Sequence, residues 1–180
     1  MQLLLNDDQS LLAETARGLV SEHASPARLR RLREDPIGFE KSLWARIVEL
    51  GWAAIPFAED DGGLGLGLAD VACVTEALGR GLAPEPYVSN VLLAGGLVAA
   101  LGSPTQREAE LAPMLTGARH LAFAGAERGA RFDLTRGSTT AERSGAGYRL
   151  RGEKPQVLGG SAADTFVVLA RTSGSPGERA

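Results

Sequence analysis

Hydrophobic residues recur at helical spacing through the first two thirds of the chain. Leu12, Ala16 and Leu19 follow this spacing after Asn6, which has Gln9 three residues later, as in a capping box. The pattern therefore predicts a first helix that begins after Asn6. Further helices are predicted from Ser25-Pro26, over residues 39–50, 70–79 and 89–101, and from Ser103-Pro104 to about residue 115. The helix over 89–101 is rich in Leu, Val, Ala and Gly and is expected to be buried on most sides. Gly51 is expected to end the helix over 39–50 in a left-handed conformation.

The pattern becomes strand-like after Gly117. Short strands are predicted over residues 120–126, 138–143, 148–154 and 165–171, with turns at 144–147 and 159–160. The last of these is nearly all apolar, which predicts burial on both faces in an intact fold. The 180 residues alone are expected to expose apolar surface on this strand and on the helix over 89–101. Helices followed by strands predict an α+β protein, with an all-helical domain over residues 1–117 and an incomplete β domain over residues 118–180.

Composition and charge exclude several classes of function. Of the 180 residues, 44% are hydrophobic and 23% are charged, and the net charge is -3. This balance is that of an ordinary globular protein and gives no basis for binding nucleic acid or an anionic membrane. No apolar run is long enough to span a bilayer, and the first residues do not form a signal peptide. Together with the single Cys73, which is expected to be buried, these features predict a cytoplasmic protein.

The residues do not form a self-contained catalytic constellation. His23 and His120 are far apart and have no cysteine partner at ligand spacing, so no metal site is predicted. The glycine-rich stretch at 62–67 invites comparison with a nucleotide-binding loop, but no strand clearly precedes it and acidic residues at 59–61 would repel a pyrophosphate. We therefore interpret this stretch as a flexible connection between helices. No serine lies in a nucleophile elbow.

The order of several short motifs resembles the acyl-CoA dehydrogenase family. Gly51-Trp52, PFAE at 56–59, Gly62-Gly63 and EALG at 76–79 resemble its N-terminal helical domain. The segment 121–134 looks like its flavin-contacting strand and loop, and the segments 147–154 and 163–172 look like its middle β domain. VLGGSAAD at 157–164 and ARFDL at 130–134 are most similar to the branch that contains the small subunit of pimeloyl-CoA dehydrogenase.

The resemblance implies a flavoprotein that removes hydrogen from the α and β carbons of an acyl-CoA thioester. Members of the family combine a helical domain, an antiparallel β-sandwich or barrel domain and a C-terminal helical bundle, and they assemble as homo- or hetero-oligomers. A glutamate base takes the α proton while FAD accepts the β hydride. The bundle has no counterpart in these residues, so the base is expected beyond Ala180 and no catalytic residue is assigned within the chain. The 180 residues alone are expected to be inactive and to bind FAD weakly or not at all.

The same resemblance assigns binding residues one by one. The residues that it implies for FAD are Phe123, Gly125, Ala126, Gln156, Val157 and Leu158, and those that it implies for the CoA part of the substrate are Arg131 and Phe132. Arg131 could pair with a CoA phosphate or lie as a solvated loop residue.

Several of these positions depart from the family pattern. Ala126 and Arg128 stand where a Thr and a Pro flank the glutamate, Gln156 stands where a Trp covers the flavin, and Leu158 stands where a hydroxyl reaches flavin N5. Backbone N–H donors can still serve at Gly125, Ala126, Val157 and Leu158, because they do not depend on the side chain.

Two hypotheses about function remain open. The first is a divergent FAD-dependent acyl-CoA dehydrogenase subunit, favoured by the retained Glu127, Asp133 and glycine-rich turn. The second is a non-catalytic partner subunit that completes a hetero-oligomer without binding flavin, favoured by the lost hydroxyls and Trp. Oxidase or monooxygenase chemistry on the same fold is a third possibility. The acyl chain of the substrate is not specified by these residues.

Overall fold

The computed structural model describes residues 4–130 and 133–178, which form helices followed by short strands. The α-helices are α1 (Asp7–His23), α2 (Pro26–Leu32), α3 (Lys41–Glu49), α4 (Leu68–Arg80), α5 (Gly96–Leu101) and α6 (Pro104–Leu115). A π-helix, Tyr87–Gly95, leads directly into α5, and 3-10 turns lie at Trp52–Ala54, Glu59–Asp61, Leu134–Arg136 and Gly160–Ala162. The strands are β1 (Leu121–Ala124), β2 (Thr140–Ser144), β3 (Gly147–Arg151) and β4 (Thr165–Val168).

The predicted starts of α1 and α6 are confirmed by their capping bonds. The Gln9 N–H donates to Asn6 Oδ1 at 2.7 Å, and the Asn6 N–H donates to Gln9 Oε1 at 3.2 Å, which completes the capping box of α1. Ser103 and Gln106 form the same box at α6. Gly51 follows α3 with φ 75°, the left-handed conformation expected of it. These bonds satisfy backbone groups that the ends of a helix leave unpaired.

The helical part is organised around one hydrophobic core. Its fully buried members include Ala16 of α1, Ile47 of α3 and Val74 of α4. The chain after α4 passes very close to α1, since a Cβ at Gly81 would lie 2.0 Å from Val20 Cγ1. Cys73 is buried as predicted, and burial raises the pKa of its thiol.

The π-helix connects the helical part to the first strand. The Tyr87 hydroxyl donates to the Trp52 carbonyl at 2.9 Å, and Asn90 Oδ1 accepts from the Leu121 N–H at 2.8 Å. The prediction of a single helix over 89–101, buried on most sides, was wrong in two respects. The segment begins as a π-helix, and Leu93 and Leu101 on it are exposed, with no buried residue in α5. The buried face of the π-helix is the one that carries Tyr87, Asn90 and their neighbours in the core.

The strands pair in two separate ladders. β1 and β4 are parallel, with Leu121 opposite Thr165, and β2 and β3 form an antiparallel hairpin, with Thr140 opposite Arg151. A bridge between Thr140 and Arg171 links the two pairs. The α+β class is confirmed, although one of the ladders is parallel.

The last strand is shorter and more exposed than its apolar sequence predicts. β4 ends at Val168, and Phe166 on it is 47% exposed. Within the described residues β4 has β1 as its one strand neighbour, which covers it incompletely. Within these residues the strand is therefore not buried on both faces, and it exposes apolar surface as predicted for the 180 residues alone.

The division of the chain at residue 117 stays a prediction. Leu121 of β1 is buried in the same hydrophobic cluster as the helical residues, so packing alone does not separate the two parts. Among the residues described, no helix has the length and apolar character needed to cross a membrane. The cytoplasmic location also stays a prediction.

Candidate functional site

A buried carboxylate, Glu127, gathers the segments that follow β1 and β3. Lys154 Nζ donates to Glu127 Oε1 at 2.7 Å and to the Gly125 carbonyl at 3.2 Å. The Ser138 N–H and hydroxyl donate to Glu127 Oε2, each at 2.5 Å, and the Thr139 N–H donates to Oε1 at 2.9 Å. The side chains of Glu127 and Lys154 are 3% and 9% exposed. We call Glu127 and its three donors, Lys154, Ser138 and Thr139, the Glu127–Lys154 cluster.

The cluster fixes the protonation state of Glu127. Burial by itself raises the pKa of this carboxyl, but the hydrogen bonds from Lys154, Ser138 and Thr139 lower it well below its usual range. Glu127 is therefore ionised at neutral pH, and both its oxygens are occupied by donors. A carboxylate held in this way stabilises structure and has no vacant oxygen with which to take a proton from a substrate.

The residues assigned to FAD after β1 lie beside this cluster. Phe123 is half-buried on β1, and Gly125 and Ala126 follow it, directly before Glu127. The Phe123 ring lies against Gly125, where a Cβ would come within 2.3 Å of the ring. Gly125 therefore allows the backbone and the ring to approach each other closely.

The other residues assigned to FAD follow Lys154 along the chain. Gln156 and Leu158 are exposed, Leu158 by 64%, and Val157 is half-buried. The Val157 carbonyl accepts from the Gly160 N–H at 3.1 Å and closes a turn. Gly159 in this turn has φ +73°, and a Cβ there would lie 2.9 Å from Ser89 Oγ, so the turn rests on the start of the π-helix.

Both groups of residues present unpaired backbone donors. Within residues 4–130 and 133–178, the N–H groups of Gly125, Ala126, Val157 and Leu158 donate to no protein acceptor. A ligand with several acceptors along one edge would satisfy such a set of donors. The isoalloxazine ring of FAD has such an edge, so the residues present fit the cofactor that the sequence implies.

The residues assigned to the CoA part of the substrate, Arg131 and Phe132, lie outside the described residues. Asp133, the next residue along, accepts from the Thr135 N–H at 3.0 Å and starts a 3-10 turn. Arg128, which stands where the family has a proline, is exposed and faces Glu153 at 3.4 Å.

A separate cavity of about 690 Å³ contains none of the residues assigned from sequence. It lies between α3, the α6–β1 connection and residues 161–164. On its wall His120 stacks on Phe39 at 5.3 Å and packs against Trp44 at 5.5 Å. The sequence shows His120 as a candidate metal ligand without partners, and no local pattern in it indicates this aromatic environment. Within the part of the chain that the structure describes, no group of side chains suited to a metal ion was found.

His120 is expected to make the stability of the folded chain depend on pH. Burial lowers the pKa of His120. The negative charge of Asp164 acts to raise this pKa, and the positive charge of Lys41 lowers it further. The unfolded chain therefore takes up a proton at a pH where the folded chain does not, and the stability is expected to fall as the pH drops below about 6.5. His120→Leu should flatten the dependence of the urea midpoint between about pH 7.5 and 5.5, the interval in which histidine titrates.

The other histidine, His23, is more exposed. The variant His23→Leu tests whether removing either histidine has the same effect on the curve. If the curves for His120→Leu and the unaltered protein run parallel through this interval, burial of His120 does not control the dependence.

Comparison with known proteins defines the class of this chain. Residues 6–118 match the family model described as acyl-CoA dehydrogenase, N-terminal domain. Because this match covers more than half of the chain, the chain belongs to the acyl-CoA dehydrogenase family, and the resemblance seen in the sequence is confirmed. The assignment to the pimeloyl-CoA dehydrogenase branch stays a prediction.

Individual relatives agree with this family and extend the match into the strands. The chain is 34% identical over 154 residues to the acyl-CoA dehydrogenase FadE27 of Mycobacterium tuberculosis, covering 86% of this chain and 40% of FadE27. The structure of the ChsE4–ChsE5 complex of the same organism matches with a TM-score of 0.83 and 31% identity, covering 96% of this chain and 46% of that one. The FAD complex of PigA matches with a TM-score of 0.83 and 25% identity, covering 97% and 46%. The chain thus spans less than half the length of these relatives.

Proposed function

We propose that these residues are the N-terminal part of a flavin-dependent acyl-CoA dehydrogenase subunit. The observation that carries the proposal is the set of unpaired backbone donors at Gly125, Ala126, Val157 and Leu158, beside the Glu127–Lys154 cluster. The match to FadE27 and to the FAD complex of PigA supports the same activity and cofactor.

The residues of this chain would bind and orient the cofactor. When bound, FAD would supply the hydride acceptor for dehydrogenation between the α and β carbons of an acyl-CoA. The four backbone N–H groups would hold its acceptor edge, and Leu158 would pack on the ring, because its side chain is apolar and 64% exposed. Glu127 would stay ionised and keep the adjoining backbone in place. The base would lie outside these residues, as the family resemblance implies, and Glu127 itself has no vacant oxygen with which to act as one.

The substrate site is proposed by carry-over from the family. Arg131 would pair with a phosphate of CoA, and Phe132 would lie beside it. The 180 residues alone would be inactive and would bind FAD weakly or not at all, because the family resemblance implies that the base and part of the FAD-binding surface lie outside them. The whole protein would act as a homo- or hetero-oligomer of acyl-CoA dehydrogenase subunits.

A partner subunit without flavin is the second candidate. It is favoured by Gln156 and Leu158, which replace the Trp and the hydroxyl of the family pattern and cannot supply the same contacts. That the ChsE4–ChsE5 complex is a structural neighbour makes a hetero-oligomer a concrete possibility to test.

The visible absorption spectrum of the full-length gene product separates the two candidates. We expect flavin bands in the protein purified alone, and bleaching of these bands when an acyl-CoA substrate is added without oxygen. Flavin bands that appear only with a co-encoded partner would support the second candidate and contradict the first. Absence of flavin from both preparations would contradict the proposed activity altogether.

A further inference from the structure

We propose that Lys154 is a positioning residue that sets the two groups of backbone donors of the flavin site relative to each other. The inference rests on the proposed function. The Lys154 side chain would hold these backbone N–H groups in place without itself binding FAD.

The ammonium group of Lys154 joins a backbone carbonyl and a buried carboxylate. Lys154 Nζ contacts the Gly125 carbonyl at 3.2 Å and Glu127 Oε1 at 2.7 Å, so it holds both sides of Ala126. Its side chain is 9% exposed, and the contacts are shielded from water. Charge-assisted bonds in such surroundings are stronger and more directional than those at the surface.

The chain after Lys154 is held at both of its ends. Pro155 follows at once and restricts the backbone through its ring, and Gln156 and Val157 come next. At its far end this segment is held by the turn at Gly159, which rests on Ser89. The segment is therefore fixed at the lysine and at the glycine turn, and the N–H groups of Val157 and Leu158 lie between these two points.

Glu127 and the Gly125 carbonyl depend on Lys154 to different degrees. The carboxylate keeps the donors from Ser138 and Thr139 when the lysine is removed, so this part of the cluster can remain folded. The Gly125 carbonyl, in contrast, has no donor other than Lys154 among the described residues. Loss of the ammonium should therefore release Gly125 and Ala126 from the segment 156–158 and leave a buried carboxylate without its counterion.

The experiment uses the full-length gene product and measures its affinity for FAD. Lys154→Met is expected to raise the FAD dissociation constant at least about tenfold, the loss of about 1.4 kcal/mol of binding free energy. The flavin that still binds should show an altered visible circular dichroism spectrum, because its ring is held in a less defined orientation. Both quantities are measured at a temperature at which the variant is folded.

Arg107 provides a matched control. Its guanidinium also joins a carboxylate, Asp61 at 3.1 Å, to a backbone carbonyl, Gly102 at 3.2 Å, but in the helical part of the chain. Arg107→Met should lower the melting temperature and leave the FAD dissociation constant within about twofold of the unaltered protein, as expected for a distant and independent site.

The double variant Lys154→Met with Glu127→Gln separates positioning from stability. It removes the unpaired buried charge, and its melting temperature should recover towards that of the unaltered protein. If FAD affinity stays low in this variant, the proposal is supported. If the affinity recovers together with the melting temperature, or if Lys154→Met binds FAD as tightly as the unaltered protein, the proposal is overturned while the proposed function stands. If the unaltered protein purified alone binds no FAD, the proposed function fails and this inference fails with it.

Discussion

Replacing Arg28 by methionine is expected to lower the free energy of unfolding by about 3–5 kcal/mol, the cost of leaving a buried charge without its partner. The Arg28 guanidinium contacts Glu85, whose side chain is 0% exposed, and Arg28 Nε donates to Glu40 Oε2 at 3.0 Å. Burial opposes the charge on Arg28, but the bonds to Glu85 and Glu40 raise its pKa above the usual value. Without the guanidinium, the Glu85 carboxylate stays buried with no cation among the described residues near it.

Urea unfolding of the full-length gene product, followed by tryptophan fluorescence and far-ultraviolet circular dichroism, measures this loss. Arg46→Met is the control, because Arg46 pairs with Glu49 on the surface, where both side chains are more than half exposed and ion pairs contribute little. Arg28→Met combined with Glu85→Gln should recover part of the stability. An unchanged urea midpoint for Arg28→Met would show that the pair is not buried as described.

Gly63→Ala is expected to lower the free energy of unfolding by about 3 kcal/mol, the upper part of the range for forcing extra volume into a packed site. A Cβ at this position would lie 2.0 Å from the Phe57 carbonyl oxygen and 2.3 Å from its carbon. Both atoms belong to the backbone, so no flexible side chain can move aside. That carbonyl also accepts from the Gly65 N–H at 2.7 Å, and moving it would break this bond.

Gly67→Ala is the control for this substitution in the same loop. A Cβ at Gly67 would meet Asp70 Oδ2 at 3.6 Å, an ordinary contact, so the free energy of unfolding should fall by no more than about 1 kcal/mol, the cost of alanine at the residue that caps α4. Melting temperatures of the two variants test the difference. Equal melting temperatures would mean that the loop rearranges freely and that the close contact with Phe57 has no energetic consequence.

The structure of the glycine-rich loop at 62–67 was only partly predictable from its sequence. Asp60 and Asp61 would repel a phosphate, which argues against a nucleotide-binding loop. The structure agrees, since the loop wraps around a backbone carbonyl. The interpretation as a flexible connection missed the tight packing. Repulsion can be inferred from residue types, whereas a close approach between Gly63 and Phe57 depends on how the chain folds back on itself.

The candidate site was only partly accessible from sequence. The family resemblance selected Gly125, Ala126 and the segment 156–158, and it noted Glu127 as retained, but it did not pair Glu127 with Lys154. The two residues are 27 positions apart, and no local spacing rule connects them. Their contact forms because the segments after β1 and β3 meet, which is a property of strand arrangement.

The ends of α1, α3 and α6 were determined by the sequence itself. A capping side chain such as Asn6 bonds to groups three residues away, and a left-handed residue such as Gly51 acts at its own position, so no distant part of the chain is needed. Family membership was likewise determined by the order of short motifs along the chain.

Only the tertiary structure decided the pairing and burial of the strands, the π-helical start of the segment at Tyr87, and the charged state of Glu127. Each depends on which distant residues come into contact: β1 for β4, Trp52 and Leu121 for the π-helix, and Lys154 for Glu127. An apolar run has the same appearance in sequence whether one or both of its faces are covered, because burial is a property of its neighbours. A carboxylate is held ionised by the donors around it, and those donors are brought to Glu127 by the fold.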